Sequence, residues 1–405
     1  MKSTPNQGRA RGRRGGLAAL VSLVLVGLLS GARAEGAPWR IGMSGALTGP
    51  AQGLGLGMKA GIEAYFRLVN QAGGVHGRPM ELLALDDAYE PGRTGPNMRR
   101  LIDVEHAFAI LGNPGTPTAA VAVPIANEKK VPFFGPFTGA GLLRKNPPDR
   151  FVVNLRASYA QETAEMVRGM VEDLGIAPAN IAFFTQNDAF GDSGYDGGIA
   201  ALKAHGYADA ERLPHGRYPR NTVDVEGGLA RLLDPTAHPQ AVIMVGAYKP
   251  CAKFIKLAKQ KGLRAIFANV SFVIGDALNR ELGGAGDGVV VTQVVPPYDA
   301  DLPAVREYRA AIDPKDMSFV SLEGFVAAKA FVETLRRAGP GATPESFIAA
   351  LEDGHPFDLG LGVTHALSPT QHQFSSRIWP TVLRGGKFHF MASWRELRHF
   401  AGGTP

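Results

Sequence analysis

The stretch Arg40-Ile41-Gly42-Met43-Ser44, followed by Met58, Ile62, Tyr65, Phe66 and Val69 at helical spacing and then by Glu81-Leu82-Leu83-Ala84-Leu85, decides the fold class. A β-like run, an apolar stripe at three- and four-residue intervals and a second β-like run make one βαβ unit. The alternation continues outward, with β-like runs at Phe108–Leu111, Val131–Gly135, Ile181–Thr185, Ala241–Val245 and Gly288–Thr292. Leu322, Phe325, Val326 and Val332 form a later helical stripe. Runs this uniformly apolar suit strands covered on both faces, as in parallel α/β sheets. The helical stripes read as core rather than as sites. The ending differs: Arg377–Leu383 and Lys387–Met391 flank Gly385-Gly386 and predict a hairpin.

Upstream, residues 1–34 read as a secretory signal. Lys2, Arg9, Arg11, Arg13 and Arg14 precede an apolar run from Gly15 to Leu29 and then Ala32-Arg33-Ala34, so cleavage is expected after Ala34 and the mature chain in the periplasm. The run is shorter than the ~20 apolar residues of a membrane span. Arg13-Arg14 hints at the twin-arginine route, but Gly15-Gly16 follows, and the general secretory route fits better. Cleavage removes six of the 43 basic residues and no acidic one, leaving 37 against 37. The net charge of +6 therefore belongs to the signal and gives no support to a nucleic-acid partner.

Cys251 is the only cysteine, which excludes an intrachain disulfide, and Glu35 after the cleavage site excludes a lipid-modified N-terminal cysteine. The 371 residues that remain suit two domains. With no low-complexity linker and no short-period repeat between them, the two lobes are expected to be woven together by chain crossings.

Several segments, taken in order, resemble the branched-chain amino acid (Leu/Ile/Val) binding proteins of ABC transporters. They are Ile41–Pro50, Asn70-Gln71-Ala72-Gly73-Gly74-Val75-His76-Gly77, Asp86-Asp87-Ala88-Tyr89-Glu90-Pro91, Ile110-Leu111-Gly112, Val131-Pro132, Phe190-Gly191-Asp192, Gly246-Ala247-Tyr248 and Leu322-Glu323-Gly324-Phe325. The resemblance spans nearly the whole mature chain. It implies the type I periplasmic binding fold: two αβα lobes with mainly parallel central sheets, joined by three crossings, with a small-molecule ligand between them. We expect residues 35–156 with 296–366 in lobe 1 and 157–295 with 367–405 in lobe 2, with crossings near Leu155–Ser158, Thr292–Pro296 and His365–Phe374. Amino-acid-binding members carry a disulfide at places that look like Tyr89 and Gly115 here, so both of its cysteines are missing together.

Binding candidates follow from local chemistry and from the resemblance. Gly112–Thr118 joins an apolar run to an alanine-rich helical stretch. Thr116 is read as its N-cap and Pro117 as its first helical residue. Free N–H groups there suit a ligand carboxylate, although the same pattern describes a plain capped helix. Pro124 predicts a kink or a restart. The resemblance adds Gly115, Phe137 and Thr138 from lobe 1, with Gln52 and Leu54 from the loop after the first strand. From lobe 2 it adds Phe190 and Tyr248 at cleft-lining tyrosine places, and Tyr298 near a crossing. Tyr159 ranks below these. Each aromatic could equally be core. Ser271 falls where amino-acid binders carry a glutamate for the ligand ammonium, and Asp188 is the only evident substitute. An unpaired buried ammonium is costly, so an amide, a simple carboxylate or an aromatic acid is favoured over a free α-amino acid.

Enzyme readings are weak. Gly191-Asp192-Ser193-Gly194 looks like a protease nucleophile stretch, but it follows an apolar strand in an α/β pattern, and Ser193 reads as a helix-start residue. Gly53-Leu54-Gly55-Leu56-Gly57 has the wrong spacing for a dinucleotide loop. The ten histidines show no paired metal-ligand spacing; no metal and no cofactor is expected. A lowered thiol pKa is conceivable for Cys251 beside Lys249 and Lys253, but one thiol without a histidine motif carries little chemistry. Two classes remain: a monomeric solute receptor that delivers its ligand to an ABC transporter membrane permease, and an exported ligand sensor that controls a partner protein.

Overall fold

The computed structural model describes residues 36–400. The expected signal sequence lies outside the described residues. Two sheets organise the chain. The first contains β1 (Trp39–Gly45), β2 (Met80–Asp86), β3 (Ala109–Leu111), β4 (Phe133–Phe134) and β5 (Val152–Val153). Their order is β2-β1-β3-β4-β5, and every pair is parallel. The second contains β6 (Ile181–Gln186), β7 (His215–Tyr218), β8 (Ala241–Val245), β9 (Ile266–Asn269) and β10 (Val290–Gln293). The hairpin β13 (Trp379–Arg384) and β14 (Lys387–Phe390) completes it. Its order is β14-β13-β10-β9-β8-β6-β7, antiparallel within the hairpin and where β13 joins β10, and parallel elsewhere. A small ladder pairs β11 (Phe357–Asp358) with β12 (Thr364–His365). The chain is a type I periplasmic binding fold of the α/β class.

Helices fill the crossovers. In lobe 1 these are α1 (Gln52–Gln71), α2 (Pro91–Arg99) and α3 (Thr116–Lys129). Lobe 2 has α4 (Tyr159–Arg168), α5 (Ala189–Ala204), α6 (Glu226–Leu232), α7 (Tyr248–Gln260) and α8 (Gly275–Leu282). The chain then returns to lobe 1 through α9 (Pro303–Ala311), α10 (Phe319–Ala338) and α11 (Pro344–Leu351). The stripe Met58, Ile62, Tyr65, Phe66 and Val69 is buried on α1, and Leu322, Phe325, Val326 and Val332 are buried on α10. These two helices pack backbone to backbone: a Cβ on Gly61 would stand 1.9 Å from the Ser321 carbonyl oxygen, and one on Gly324 2.5 Å from that of Met58. Glycine is required there by contact, and the contact fixes α10, which carries Glu323.

Two details of lobe 1 correct the sequence reading. Helix α3 begins at Thr116 itself; Gly115, at φ 103°, is the cap residue, and no side chain caps the helix. A glycine takes this left-handed backbone without Cβ strain, which frees the threonine hydroxyl for another partner. Pro124 lies inside α3 without ending it, since the helix runs on to Lys129. In lobe 2, α5 starts at Ala189 under an Asp188 cap, so Ser193 lies within the helix rather than at its start.

The chain passes between the sheets after β5, after β10 and after β12. The first and third passages run side by side. Asn154 N–H donates to the His372 carbonyl at 2.8 Å, Phe374 N–H to Asn154 at 2.9 Å and Ser375 N–H to Leu155 at 3.0 Å. Arg144 ties them further, donating to the Arg156 carbonyl at 2.9 Å and to Gln373 Oε1 at 2.8 Å.

Candidate ligand-binding site

The carboxyl ends of both sheets face each other, which is where open α/β sheets place their ligands. From lobe 1 come the loops after β2, β3 and β4; from lobe 2, those after β6, β7, β8 and β9. Phe272, after β9, is the centre of an aromatic cluster that spans both lobes. It stacks on Phe137 at a centroid distance of 5.3 Å and lies 4.5 Å from Phe190, 6.0 Å from Tyr89 and 6.5 Å from Tyr159. All five rings are buried.

A charged cluster adjoins the rings. Arg156, on the first crossing, has its guanidinium 4.8 Å from the Phe137 ring centroid and 5.8 Å from that of Tyr159. Arg156 Nη2 stands 3.5 Å from Glu162 Oε1, and its Nε stands 3.6 Å from Glu323 Oε1. Glu162, from α4, is saturated by the protein: Ser271 donates through its N–H at 2.7 Å and its hydroxyl at 2.9 Å, and Thr292 through its hydroxyl at 2.6 Å. Glu323 Oε1, the Tyr159 hydroxyl and all three guanidinium nitrogens of Arg156 have no hydrogen-bond partner among the described residues. Leaving buried polar groups unpaired costs about 1–3 kcal/mol each, more when charged. Unpaired buried polar groups are few in folded proteins, and a set of them in one place marks it as a candidate site.

Burial sets the electrostatics. It pushes the Glu323 carboxyl up to about 7, against the pull of Arg156. It also raises Glu162, which Arg156 and the Ser271 and Thr292 donors hold down. Burial drives the Tyr159 phenol up to about 12.

The predicted residues separate into groups. Phe137, Thr138, Phe190 and Ser271 surround the Arg156 cluster or touch its members. Thr116 joins them because its hydroxyl lies 2.7 Å from that of Thr138. Gly115 packs against Tyr89: a Cβ there would lie 2.3 Å from Tyr89 Cε2. The two places to which the resemblance assigns a disulfide are thus in contact here, with the tyrosine ring filling the space. Gln52 and Tyr248 instead line an outer groove of about 420 Å³ between the lobes. Tyr248 closes one side of it by donating to the Pro50 carbonyl at 2.7 Å. Tyr298 reaches only Asp276 of that groove, at 3.2 Å. Leu54 is buried in the first turn of α1.

The expectation that only Asp188 could replace the missing glutamate is overturned. Asp188 caps α5 and accepts from Gln186 at 2.8 Å and Arg220 at 3.2 Å. The carboxylate that meets Ser271 is Glu162, 109 residues earlier in the chain and brought there by α4. Cys251 is fully buried, and burial pushes its thiol up rather than down. Arg156, Glu162, Glu323, Tyr89 and Phe272 escaped sequence reasoning. The one available signal was Glu323, an acidic residue inside the otherwise uncharged run Phe319–Ala328. Among the described residues no histidine, cysteine and carboxylate grouping could hold a metal.

A family model described as periplasmic binding protein matches residues 38–387. The chain belongs to this periplasmic binding protein family. It is 26% identical over 342 residues to Leu/Ile/Val-binding protein homolog 7 of Brucella suis biovar 1, covering 78% of this chain and 82% of the relative. The crystal structure of a possible leucine/isoleucine/valine-binding protein from Rhodopirellula baltica is 48% identical, with a TM-score of 0.86 over 91% of this chain and 98% of that one. A branched-chain amino acid ABC transporter structure from Thermus thermophilus with bound valine shares the fold at a TM-score of 0.77, with 19% identity, over 90% of this chain and 99% of that one. The periplasmic binding protein is thus of the Leu/Ile/Val-binding type, and its relatives are solute-binding proteins, not enzymes.

Proposed function

We propose that this periplasmic binding protein captures a small amphipathic molecule bearing a carboxylate or amide between its lobes and presents it to an ABC transporter permease. The reading carries with it an exported, monomeric receptor, with the lobe boundaries given above. One observation supports it most: a fully buried guanidinium without hydrogen-bond partners stands beside aromatic rings contributed by both lobes. A planar fork suits a carboxylate or an amide oxygen, and the rings suit an apolar body. Only the arrangement with both lobes in contact offers the two together, so ligand would favour closure by differential affinity.

A free α-amino acid fits less well. Its ammonium would need a carboxylate, and Glu162 is saturated while Glu323 is held near neutrality by burial. The test is thermal-shift screening with 4-methylpentanoate, 3-phenylpropanoate, benzoate, isovaleramide and leucine, followed by calorimetry. Carboxylates or the amide should raise the melting temperature. Tight binding of leucine alone would overturn the ligand class.

A further inference from the structure

Glu162 and Glu323 flank the same guanidinium but differ in their other partners. Glu162 receives three protein donors and has no need of Arg156 to stay satisfied. Glu323 receives none at Oε1, and Arg156 is its nearest cation. The charges acting on Glu323 are Arg156 from the first crossing, Glu162 from α4 and Arg144 from the loop before β5. Helix α1, packed against α10, meets it through Gly57, Met58 and Gly61.

We propose that Arg156 anchors a ligand carboxylate and that Glu323 yields the guanidinium by taking up a proton, so that the site binds an apolar monocarboxylate together with one H⁺. This deepens the cleft reading above and rests on it. The charge count gives the reason. With Glu162 ionised, Arg156 and the neighbouring Arg144 supply two positive charges, and a ligand carboxylate beside an ionised Glu323 would place three anions among them. Like charges in a buried site cannot all persist, and the weakest acid takes the proton. Glu162 is stabilised as an anion by its donors. Glu323 is not, and burial already holds it near half-ionisation at neutral pH. Protonated, it becomes a donor that can serve the ligand oxygen. The proton comes from solvent and returns there on release, so no bond other than O–H is made or broken.

The sign follows from linkage. Free Glu323 is largely ionised above neutrality, and binding must then add a proton, so affinity falls as pH rises; below neutrality the proton is already present and affinity levels off. The experiment is calorimetry of the whole protein with 4-methylpentanoate and 3-phenylpropanoate, in two buffers of different ionisation enthalpy. Between about pH 7 and about pH 8.5 the Kd should weaken about tenfold, with close to one proton taken up at the upper end. Glu323→Gln should keep binding at high pH and remove both the proton uptake and the pH slope; its thermal melt shows that it is folded. Carboxylate binding without proton uptake, or an unchanged slope in Glu323→Gln, overturns the proton linkage and leaves the cleft reading standing. If isovaleramide binds and no carboxylate does at about pH 6, the carboxylate anchor fails. If no compound binds there, both the anchor and the cleft reading fail.

Discussion

The hydroxyls of Thr116 and Thr138 lie 2.7 Å apart, one on the first residue of α3 and the other in the loop after β4, and both side chains are fully buried. The Thr138 hydroxyl also accepts from the Ala140 N–H at 3.3 Å, whereas Thr116 has no other side-chain partner among the described residues, so removing Thr138 strands the Thr116 hydroxyl. Thr138→Val should lower stability by about 1–2 kcal/mol, whereas Thr116→Val with Thr138→Val should recover part of that loss, because the stranded Thr116 hydroxyl is then gone while the Ala140 N–H still lacks its acceptor. Ligand binding should not recover. We expect roughly tenfold weaker binding of 3-phenylpropanoate in the double variant, about 1.4 kcal/mol. Chemical melts and calorimetry read the two effects separately, and full-strength binding by the double variant would remove these hydroxyls from the site.

How much of this was legible in the sequence depends on the distance over which each feature is decided. The strands and the stripes on α1 and α10 follow from short-range periodicity, and the Gly385-Gly386 hairpin from turn chemistry. Thr138 and Phe190 were reachable through resemblance because one sits in the loop after β4 and the other in the first turn of α5, shortly after β6. Arg156 and Glu162 were not: a crossing residue and an exposed-looking helical glutamate become a buried pair only when two lobes close on them. Thr116 was misread as a cap because the left-handed backbone of Gly115, which does that work, leaves no mark beyond the glycine itself.

Gly115 and Tyr89 form a second coupled pair. A methyl group on Gly115 would lie 2.3 Å from Tyr89 Cε2 on a backbone at φ 103°. Gly115→Ala should therefore cost about 2–4 kcal/mol from clash and strain together. Tyr89→Ala removes the ring, so it should relieve the clash with the ring while leaving the 2.8 Å approach to Thr118 Oγ1 and the strain. A double-mutant cycle in denaturant should give a coupling energy of about 1–2 kcal/mol. Additive losses would mean that the ring moves aside freely.

His215 sets an acid limit on lobe 2. Its ring stacks on Tyr195 at 4.2 Å, and its Nε2 lies 2.8 Å from the Thr185 hydroxyl. Burial, with Arg217 nearby, depresses its pKa to about 4. In the unfolded chain histidine titrates near ~6.5, so between these values the unfolded state binds the extra proton and stability falls as pH is lowered. Above that window His215 adds no pH dependence. We expect a loss on the order of 1–2 kcal/mol across the window for this half-buried ring. His215→Gln should flatten the curve of melting temperature against pH there, and an unchanged curve would assign the acid sensitivity elsewhere.

Glu90 in lobe 1 is gripped from lobe 2 by Arg220 at 2.9 Å and by Asn221 at 2.6 Å, and Asn221 also donates to the Ala88 carbonyl at 3.2 Å. These bonds exist only while the lobes touch at this edge, so they favour closure without touching the Arg156 cluster. Arg220 keeps Asp188 as a partner if Glu90 is removed, which limits the damage within lobe 2. The ion pair is partly exposed, so its contribution is about 1 kcal/mol. Glu90→Gln with Asn221→Ala should shift the free protein toward open forms, seen as a larger radius of gyration in X-ray scattering. The same shift should weaken carboxylate binding roughly fivefold, because the competent state is then less populated. Raising the salt concentration should shrink the difference between variant and parent, since screening acts on the parent's pair. Equal affinity and equal radius in both proteins would show that closure is governed by the aromatic cluster alone.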